Sequence, residues 1–263
     1  MKKKKYKRVV VVLGGDSGER AVSLNSGKAC IRALRKKKYI VSELDPKYKN
    51  LNLINKLSID VIFNALHGKD GEDGVAQSYF EYMGIPYTHS GVISSYNCMN
   101  KVISKKIFKK HKILTPKYYL INKDNLRNKL LRKFLIKKKI KLPVVLKPVD
   151  EGSSLGVKIV NKFKDLSKSA QLLLRKYNEI LLEEYIGGQE IQAAVLNNKS
   201  LGAIELIPKR SFYDYKAKYY SSAKTKHVMP ARITKKNYKK VLNIANKAHK
   251  VLNCKGVTRA DFK

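Results

Sequence analysis

Lys147-Pro-Val-Asp-Glu-Gly-Ser-Ser-Leu-Gly156 is the stretch of the 263-residue chain from which the fold is read outward. The apolar run Leu142 to Leu146 delivers a lysine, then turns abruptly into small, hydroxylated and glycine residues. A second β-type run, Val157 to Val160, follows at once. A strand, a loop and a return strand suit a lid that closes over phosphates. Gly152 and Gly156 tolerate backbone angles that gather N–H groups toward an anion, and Ser153 and Ser154 add hydroxyl donors. Lys147, at the strand end, adds a compact positive charge. The same residues are common turn formers, so the loop by itself leaves an ordinary hairpin open.

The length allows two or three compact domains with real cores. An apolar content of 43% argues for a folded, soluble protein. A net charge of +37 invites a nucleic-acid reading, since a basic surface attracts phosphate backbones. The charge pattern points away from it. Lysine is scattered through most segments with Asn and Ile beside it, and no aromatic-interleaved basic stripe or zinc knuckle is present. The expectation is no nucleic-acid partner. The basic start, Met1 to Arg8, precedes only five apolar residues, Val9 to Leu13, too few for a signal-peptide core of about 7–15. No run reaches the roughly 18 apolar residues that span a bilayer, so no membrane association is expected. Three widely separated cysteines, Cys30, Cys98 and Cys254, indicate neither a disulfide framework nor a thiolate metal site. Cys254 reads as a small core residue. A reducing, cytoplasmic location fits.

The first third alternates short apolar runs with helical stretches. Val9–Leu13, Val41–Leu44 and Val61–Leu66 read as strands; Val22–Leu34 and Val75–Met83 read as helices. That alternation favours a doubly wound parallel α/β sheet with ligands at the C-terminal ends of its strands. Gly14-Gly-Asp-Ser-Gly18 sits at one such end and His67-Gly-Lys-Asp-Gly-Glu-Asp-Gly74 at another. The first lacks the spacing of a dinucleotide fingerprint. After a Ser/Asn-rich connection, a basic helix from Asn100 to His111 opens a second domain. Tyr118–Ile121, a helix over Leu126–Lys139, the Val144–Lys147 strand, the opening loop, a helix over Phe163–Tyr177 and a strand at Ile180–Glu184 follow. From Gly187 the strands lengthen, Ile191–Leu196 and Leu201–Ile207, suggesting an antiparallel sheet and a third domain. A helix over Asn237–Leu252 leads into a final strand, Gly256–Lys263.

Taken together, these motifs resemble the D-alanine–D-alanine ligases. The matching segments are Gly14-Gly-Asp-Ser-Gly-Glu-Arg20 with Val22-Ser-Leu24, Ala65 to Gly74, Gly84-Ile-Pro-Tyr-Thr88, Asn100-Lys101 and the Lys147–Gly156 lid. Phe212-Tyr-Asp-Tyr-Lys-Ala-Lys-Tyr219, Pro230-Ala231, Cys254-Lys-Gly256 and Arg259-Ala-Asp261 complete the set. They stand in family order and cover essentially the whole chain. The resemblance implies an ATP-grasp fold: residues 1–99 as an N-terminal α/β substrate domain, 100–186 as a central subdomain with the lid, and 187–263 as a C-terminal subdomain. It implies ATP-dependent ligation of two D-alanines through an acylphosphate, for peptidoglycan precursors. ATP and two Mg2+ ions (Mn2+ as a substitute) would be the cofactors, and the assembly a homodimer.

The same resemblance assigns roles. Lys101 and Lys147 would hold nucleotide phosphates, with Glu151, Ser153 and Ser154 in the lid. Glu183, Glu184, Tyr185 and Ile186 would read adenine, and Glu190 the ribose. Glu19 would anchor the ammonium of the first D-alanine and latch the lid through Ser153 and Tyr219; His67 would lie near the first substrate's carboxylate. Lys218 would approach the γ-phosphate and Tyr219 close the site. Because relatives making D-alanyl-D-lactate lack this tyrosine, the resemblance favours an amine over a hydroxy acid as nucleophile. Arg259 would stabilise the tetrahedral oxyanion, and Asp261 would bind magnesium.

The family pattern continues with a Glu-x-Asn pair that completes the two-metal site, and the chain stops two residues past Asp261. The expectation is therefore little or no ligase activity for these 263 residues alone, with the ATP-binding elements mostly present. Two alternatives follow: a non-catalytic nucleotide-binding remnant, or another ATP-grasp carboxylate–amine ligase.

Overall fold

A computed structural model describes residues 6–208 and 225–263. Lys218 and Tyr219, with the motif around them, lie outside the described residues. These divide into two compact units: 6–99 with 195–199 and 252–258, and 100–194 with 200–208, 225–251 and 259–263.

The first unit is built on β1 (Arg8–Val12), with α1 (Arg20–Lys36), β2 (Ile40–Leu44), β3 (Val61–Asn64), α2 (Val75–Tyr82) and α3 (Val92–Met99). The strands form a parallel sheet in the order β2-β1-β3. The four valines of β1 alternate sides, as the two-residue period of a strand requires. Val9 and Val11 pack with Leu13 and Ile31 on the α1 side. Val10 and Val12 pack with Ile54, Ile62, Ala76 and Phe80 on the α2 side. Both faces are covered, so the strand reads as continuously apolar and the sheet is doubly wound. Phe80 has no exposed surface. Replacing it with alanine costs about 3–5 kcal/mol in denaturant unfolding, from lost burial plus an unfilled cavity; a loss under about 1 kcal/mol would show that α2 is not seated by this ring.

The second unit carries two sheets. The first orders β4 (Tyr118–Ile121), β7 (Ile180–Glu184), β5 (Val144–Pro148) and β6 (Lys158–Val160), all antiparallel. One face is apolar: Ile121, Val144, Leu146, Ile180 and Leu182 pack under α5 (Asn128–Lys138) and α6 (Leu166–Leu174). On the other face Leu181, Tyr118 and Leu120 pack with Val102 of α4 (Lys101–Lys110). The remaining sheet orders β10 (Lys226–Val228), β9 (Lys199–Ile207), β8 (Glu190–Leu196) and β11 (Val257–Phe262), beside α7 (Lys235–Val251). Asn197 and Asn198, at φ +46° and +65°, make the two-residue turn between β8 and β9. Asparagine tolerates that left-handed pair, whose twist suits a hairpin.

Three readings are corrected. The Ser/Asn-rich connection before Asn100 is largely helix α3, whose Ser94 and Ser95 are buried. Phe163–Tyr177 is not one helix: Phe163–Asp165 is a 3-10 turn, and α6 ends at Leu174. The cysteines are not all apart, since Cys98 Sγ and Cys254 Sγ lie 3.5 Å from each other. The shared hydrogen bond holds the Cys254 thiol down, at about 6. Cys254 is buried, as its reading as a small core residue expects.

Candidate functional site

The site in the second unit follows from strand alternation. On β5 the even residues Val144 and Leu146 enter the apolar core, so Val145 and Lys147 face the α4 side. On β7 the same rule sends Leu181 and Glu183 to that side, and register sets Glu183 opposite Val145 and Tyr118. Lys147 is then the diagonal neighbour of Glu183 across the ladder, within reach of a long side chain. Its Nζ lies 2.7 Å from Glu183 Oε2.

Asn100 caps α4, its side chain accepting from Val102 N and Ile103 N at 3.0 Å each. The cap places Lys101 in the first turn. Its Nζ donates to the carbonyl oxygens of Val149 and Glu151, in the chain leaving β5. Burial, then the charge of Lys147, lower the Lys101 pKa to about 8. Below that pH Lys101 is protonated and carries the charge that its assigned role with phosphate needs; above it the charge is lost. ATP affinity, measured without amino-acid substrate, is therefore expected to fall as pH rises from 7 to 9. Lys101→Arg flattens the profile, because guanidinium keeps its proton. A wild-type profile flat across that range would show that no Lys101 proton titrates with ATP binding there, and Lys101→Met losing no ATP affinity would exclude it from phosphate binding.

The Lys147–Gly156 stretch is a strand, a loop and a return strand, with Val144 paired to Val160 and Leu146 to Lys158. Positive φ falls on Ser153 (+48°), Ser154 (+63°) and Gly156 (+70°), but not on Gly152. At Gly156 a Cβ would come 2.7 Å from Pro148 Cγ, so a glycine is needed there for space as well as for angle. Glu151, Ser153 and Ser154 are half-buried. Glu184 Oε2 accepts from Lys117 N, Tyr185 is exposed and Ile186 half-buried. Glu190 pairs with Lys263.

Arg259 and Asp261 stand two apart on β11 and therefore share a face. Arg259 Nε donates to Asp261 Oδ1 at 2.9 Å and Nη2 to Oδ2 at 3.3 Å. Among the described residues, no three His, Cys, Asp or Glu side chains converge to hold a metal. Magnesium needs near-octahedral oxygen coordination, and Asp261 offers one carboxylate already bonded to Arg259. These residues do not make a metal site by themselves.

The first unit holds the other candidates. Ser23 Oγ accepts from Gly14 N at 2.8 Å and donates to Ala65 O at 2.7 Å; Ser17 Oγ donates to His67 O at 2.7 Å. These bonds knit the 14–20 and 65–74 loops together. Gly15 N donates to Asp45, whose carboxylate also binds Arg20 at 2.7 Å. A cavity of about 130 Å³ lies between the loops, lined by Gly14–Ser17, His67, Lys69 and Asp70 among others. At about 30 Å³ per water it has room for roughly four waters. His67 Nε2 is 3.1 Å from Ser26 Oγ, and Nδ1 is 3.5 Å from Glu72 Oε1. Glu19 is buried at the start of α1, and its side chain does not cap that helix.

Sequence reasoning missed Lys105. It lies one turn after Lys101, on the same face of α4. Its Nζ is 3.0 Å from Glu183 Oε1 and donates to Pro116 O at 3.0 Å. The signal was that four-residue spacing, submerged in a lysine-rich chain.

A doubly wound parallel unit, together with a unit in which two lysines face a strand carboxylate in an antiparallel sheet with a glycine- and serine-rich hairpin, has the architecture of an ATP-grasp protein. Residues 42–90 match the family profile for the D-ala D-ala ligase N-terminus, and residues 107–263 match that for the C-terminus. The chain is similar to the D-alanine–D-alanine ligase of Pelagibacter ubique, 54% identical over 98% of this chain and 83% of the relative. Among solved structures it resembles the Bacillus anthracis D-alanine–D-alanine ligase complexed with ATP. That match has a TM-score of 0.82 and 33% identity, over 98% of this chain and 82% of the other. It also resembles the VanG D-Ala:D-Ser ligase of Enterococcus faecalis, with a TM-score of 0.80 and 28% identity, covering 98% and 86%. The chain belongs to the D-alanine–D-alanine ligase family and is an enzyme of the ligase class.

Proposed function

We propose that the chain joins two D-alanines into D-alanyl-D-alanine, with ATP cleaved to ADP and phosphate, in the cytoplasm and for peptidoglycan precursors. The observation that carries this is Lys147 on the buried Glu183, with Lys101 bonded to the chain leaving β5, in a chain of this family. Phosphoryl transfer needs charge neutralisation and alignment more than covalent participation by the protein. Lys101 and Lys147 supply the charge, while Glu183 to Ile186 and Glu190 hold the nucleoside. Lys218 is assigned to the γ-phosphate.

A D-alanine carboxylate oxygen forms a bond to the γ-phosphorus, and the bond to the ADP oxygen breaks. Glu19 holds that substrate's ammonium and His67 lies by its carboxylate. The second amine, after losing a proton, attacks the acylphosphate carbonyl; Arg259 receives the oxyanion, and phosphate departs with the C–O electrons. The lid residues Glu151, Ser153 and Ser154, with Tyr219, keep water from the acylphosphate. Asp261 is the carboxylate of this chain that would contribute to holding magnesium, which would supply charge neutralisation on the phosphates. The working assembly is a homodimer, and the domains are 1–99, 100–186 and 187–263.

The test is ADP release with product analysis, offering D-alanine, D-serine and D-lactate as second substrates. D-alanyl-D-alanine as the main product is expected. Dominant depsipeptide would overturn the assignment of an amine nucleophile, and ATP binding without D-alanine-dependent turnover would overturn the reaction.

A further inference from the structure

Both oxygens of Glu183 face lysines, and the two lysines differ in kind. Lys147 reaches Oε2 at 2.7 Å, stands at the mouth of the lid loop and keeps 24% of its side chain exposed. Lys105 reaches Oε1 at 3.0 Å with 7% exposed. It is fixed by its bond to Pro116 O and by the Tyr118 ring, whose centroid lies 5.2 Å from Nζ. Lys105 meets Oε1 as an ion pair at 3.0 Å. It holds that oxygen as a charge.

A carboxylate this buried is costly to leave without an opposite charge beside it. Lys147 cannot be that charge throughout turnover if it also binds phosphate. We propose that Lys105 is a positioning residue for nucleotide recognition: the permanent counter-ion that keeps Glu183 an acceptor while Lys147 leaves for the phosphates. On nucleotide entry Oε2 passes from Lys147 to the exocyclic amine of the base, and Oε1 stays against Lys105. The handover couples base reading to phosphate binding through one carboxylate. It also sets specificity. A charged acceptor selects the amine of adenine and rejects the carbonyl that guanine carries there. The inference rests on the reading of Glu183 as the adenine acceptor.

The experiment measures affinities of the full chain for ATP, GTP and inorganic tripolyphosphate by calorimetry, in wild type, Lys105→Met, Lys105→Arg and Glu183→Gln. Lys105→Met is expected to weaken ATP about 100-fold, since it strands a buried charge. It collapses the ATP-over-GTP preference, and tripolyphosphate weakens as well, because Lys147 can no longer leave Glu183 without stranding a buried carboxylate. Lys105→Arg restores much of the preference. A purely structural lysine would weaken ATP and GTP by the same factor, and that unchanged ratio, or no change at all, overturns the proposal. If Glu183→Gln leaves the ATP/GTP ratio unchanged, the adenine reading itself is wrong. If Glu183→Gln collapses the preference and Lys105→Met does not, only the role of Lys105 falls. Should Lys105→Met fail to fold, the neutral pair Lys105→Met/Glu183→Gln carries the test. It must bind ATP like Glu183→Gln alone, and markedly weaker binding would show that Lys105 acts apart from Glu183.

Discussion

Arg259→Met is expected to lower kcat by about 10²–10³ and to leave ATP affinity nearly intact. The guanidinium grips Asp261 through two nitrogens, at 2.9 and 3.3 Å, which fixes its plane on the exposed face of β11. Its side chain is 54% exposed and that of Asp261 44% exposed, so the pair adds at most about 1 kcal/mol to stability. The variant therefore folds, and the loss is kinetic. An oxyanion exists only once the amine has attacked, so a charge aimed at it acts on the transition state and not on ground-state binding. Lysine cannot replace it, because a point charge lacks the planar fork that Asp261 holds. Steady-state kinetics with saturating ATP and D-alanine check the size of the loss. Acylphosphate formation, followed as ADP release in a single turnover, should persist. A fall in ATP affinity matching the fall in kcat/KM would move Arg259 from the oxyanion to the nucleotide.

Strand alternation was the most legible feature of this chain, and the reason is visible in β1. Covered on both faces, Val9 to Val12 had no polar residue to confuse the period. Val92–Met99 was hidden because its buried side includes Ser94 and Ser95, whose hydroxyls are satisfied locally: Ser95 Oγ donates to Ser90 O and Ser94 Oγ to Cys254 Sγ. Polarity there marks a packed helix face and not a connection. The lid was legible as strand, loop and strand, yet the positive angles fell on Ser153 and Ser154 and not on Gly152. A glycine permits such an angle without demanding it. Of the site, Lys101 and Lys147 stood out through their motifs. Lys105 did not, because its importance comes from burial over Tyr118 and from Glu183, 78 positions further along the chain and on another element. The Cys98–Cys254 approach is equally a tertiary fact, and spacing along the chain carries no trace of it.

Gly68→Ala is the second change expected to act strongly, and it acts through Glu19. Gly68 has φ +71°, a conformation alanine adopts at a cost of roughly 1–2 kcal/mol. The added Cβ would lie 2.7 Å from Glu19 Oε2 and 3.4 Å from Ser17 Oγ. One partner must move, and the loop is the less able to do so. Gly68 N donates to Glu72 Oε2 at 2.8 Å, while Gly68 O accepts from Gly71 N and Glu72 N. The atom met is the far end of a flexible side chain, so the Glu19 carboxylate is the part that shifts. Displacing the group assigned to the ammonium of the first D-alanine removes a charged hydrogen bond, which raises KM for that substrate about 10–100-fold. ATP affinity, set in the other unit, stays at the wild-type value. Glu19→Gln separates the two effects: it should reproduce the loss in D-alanine binding without the loss in unfolding free energy. If Gly68→Ala lowers stability while KM for D-alanine holds, the carboxylate has found room, and Glu19 does not meet the ammonium from the position it occupies here.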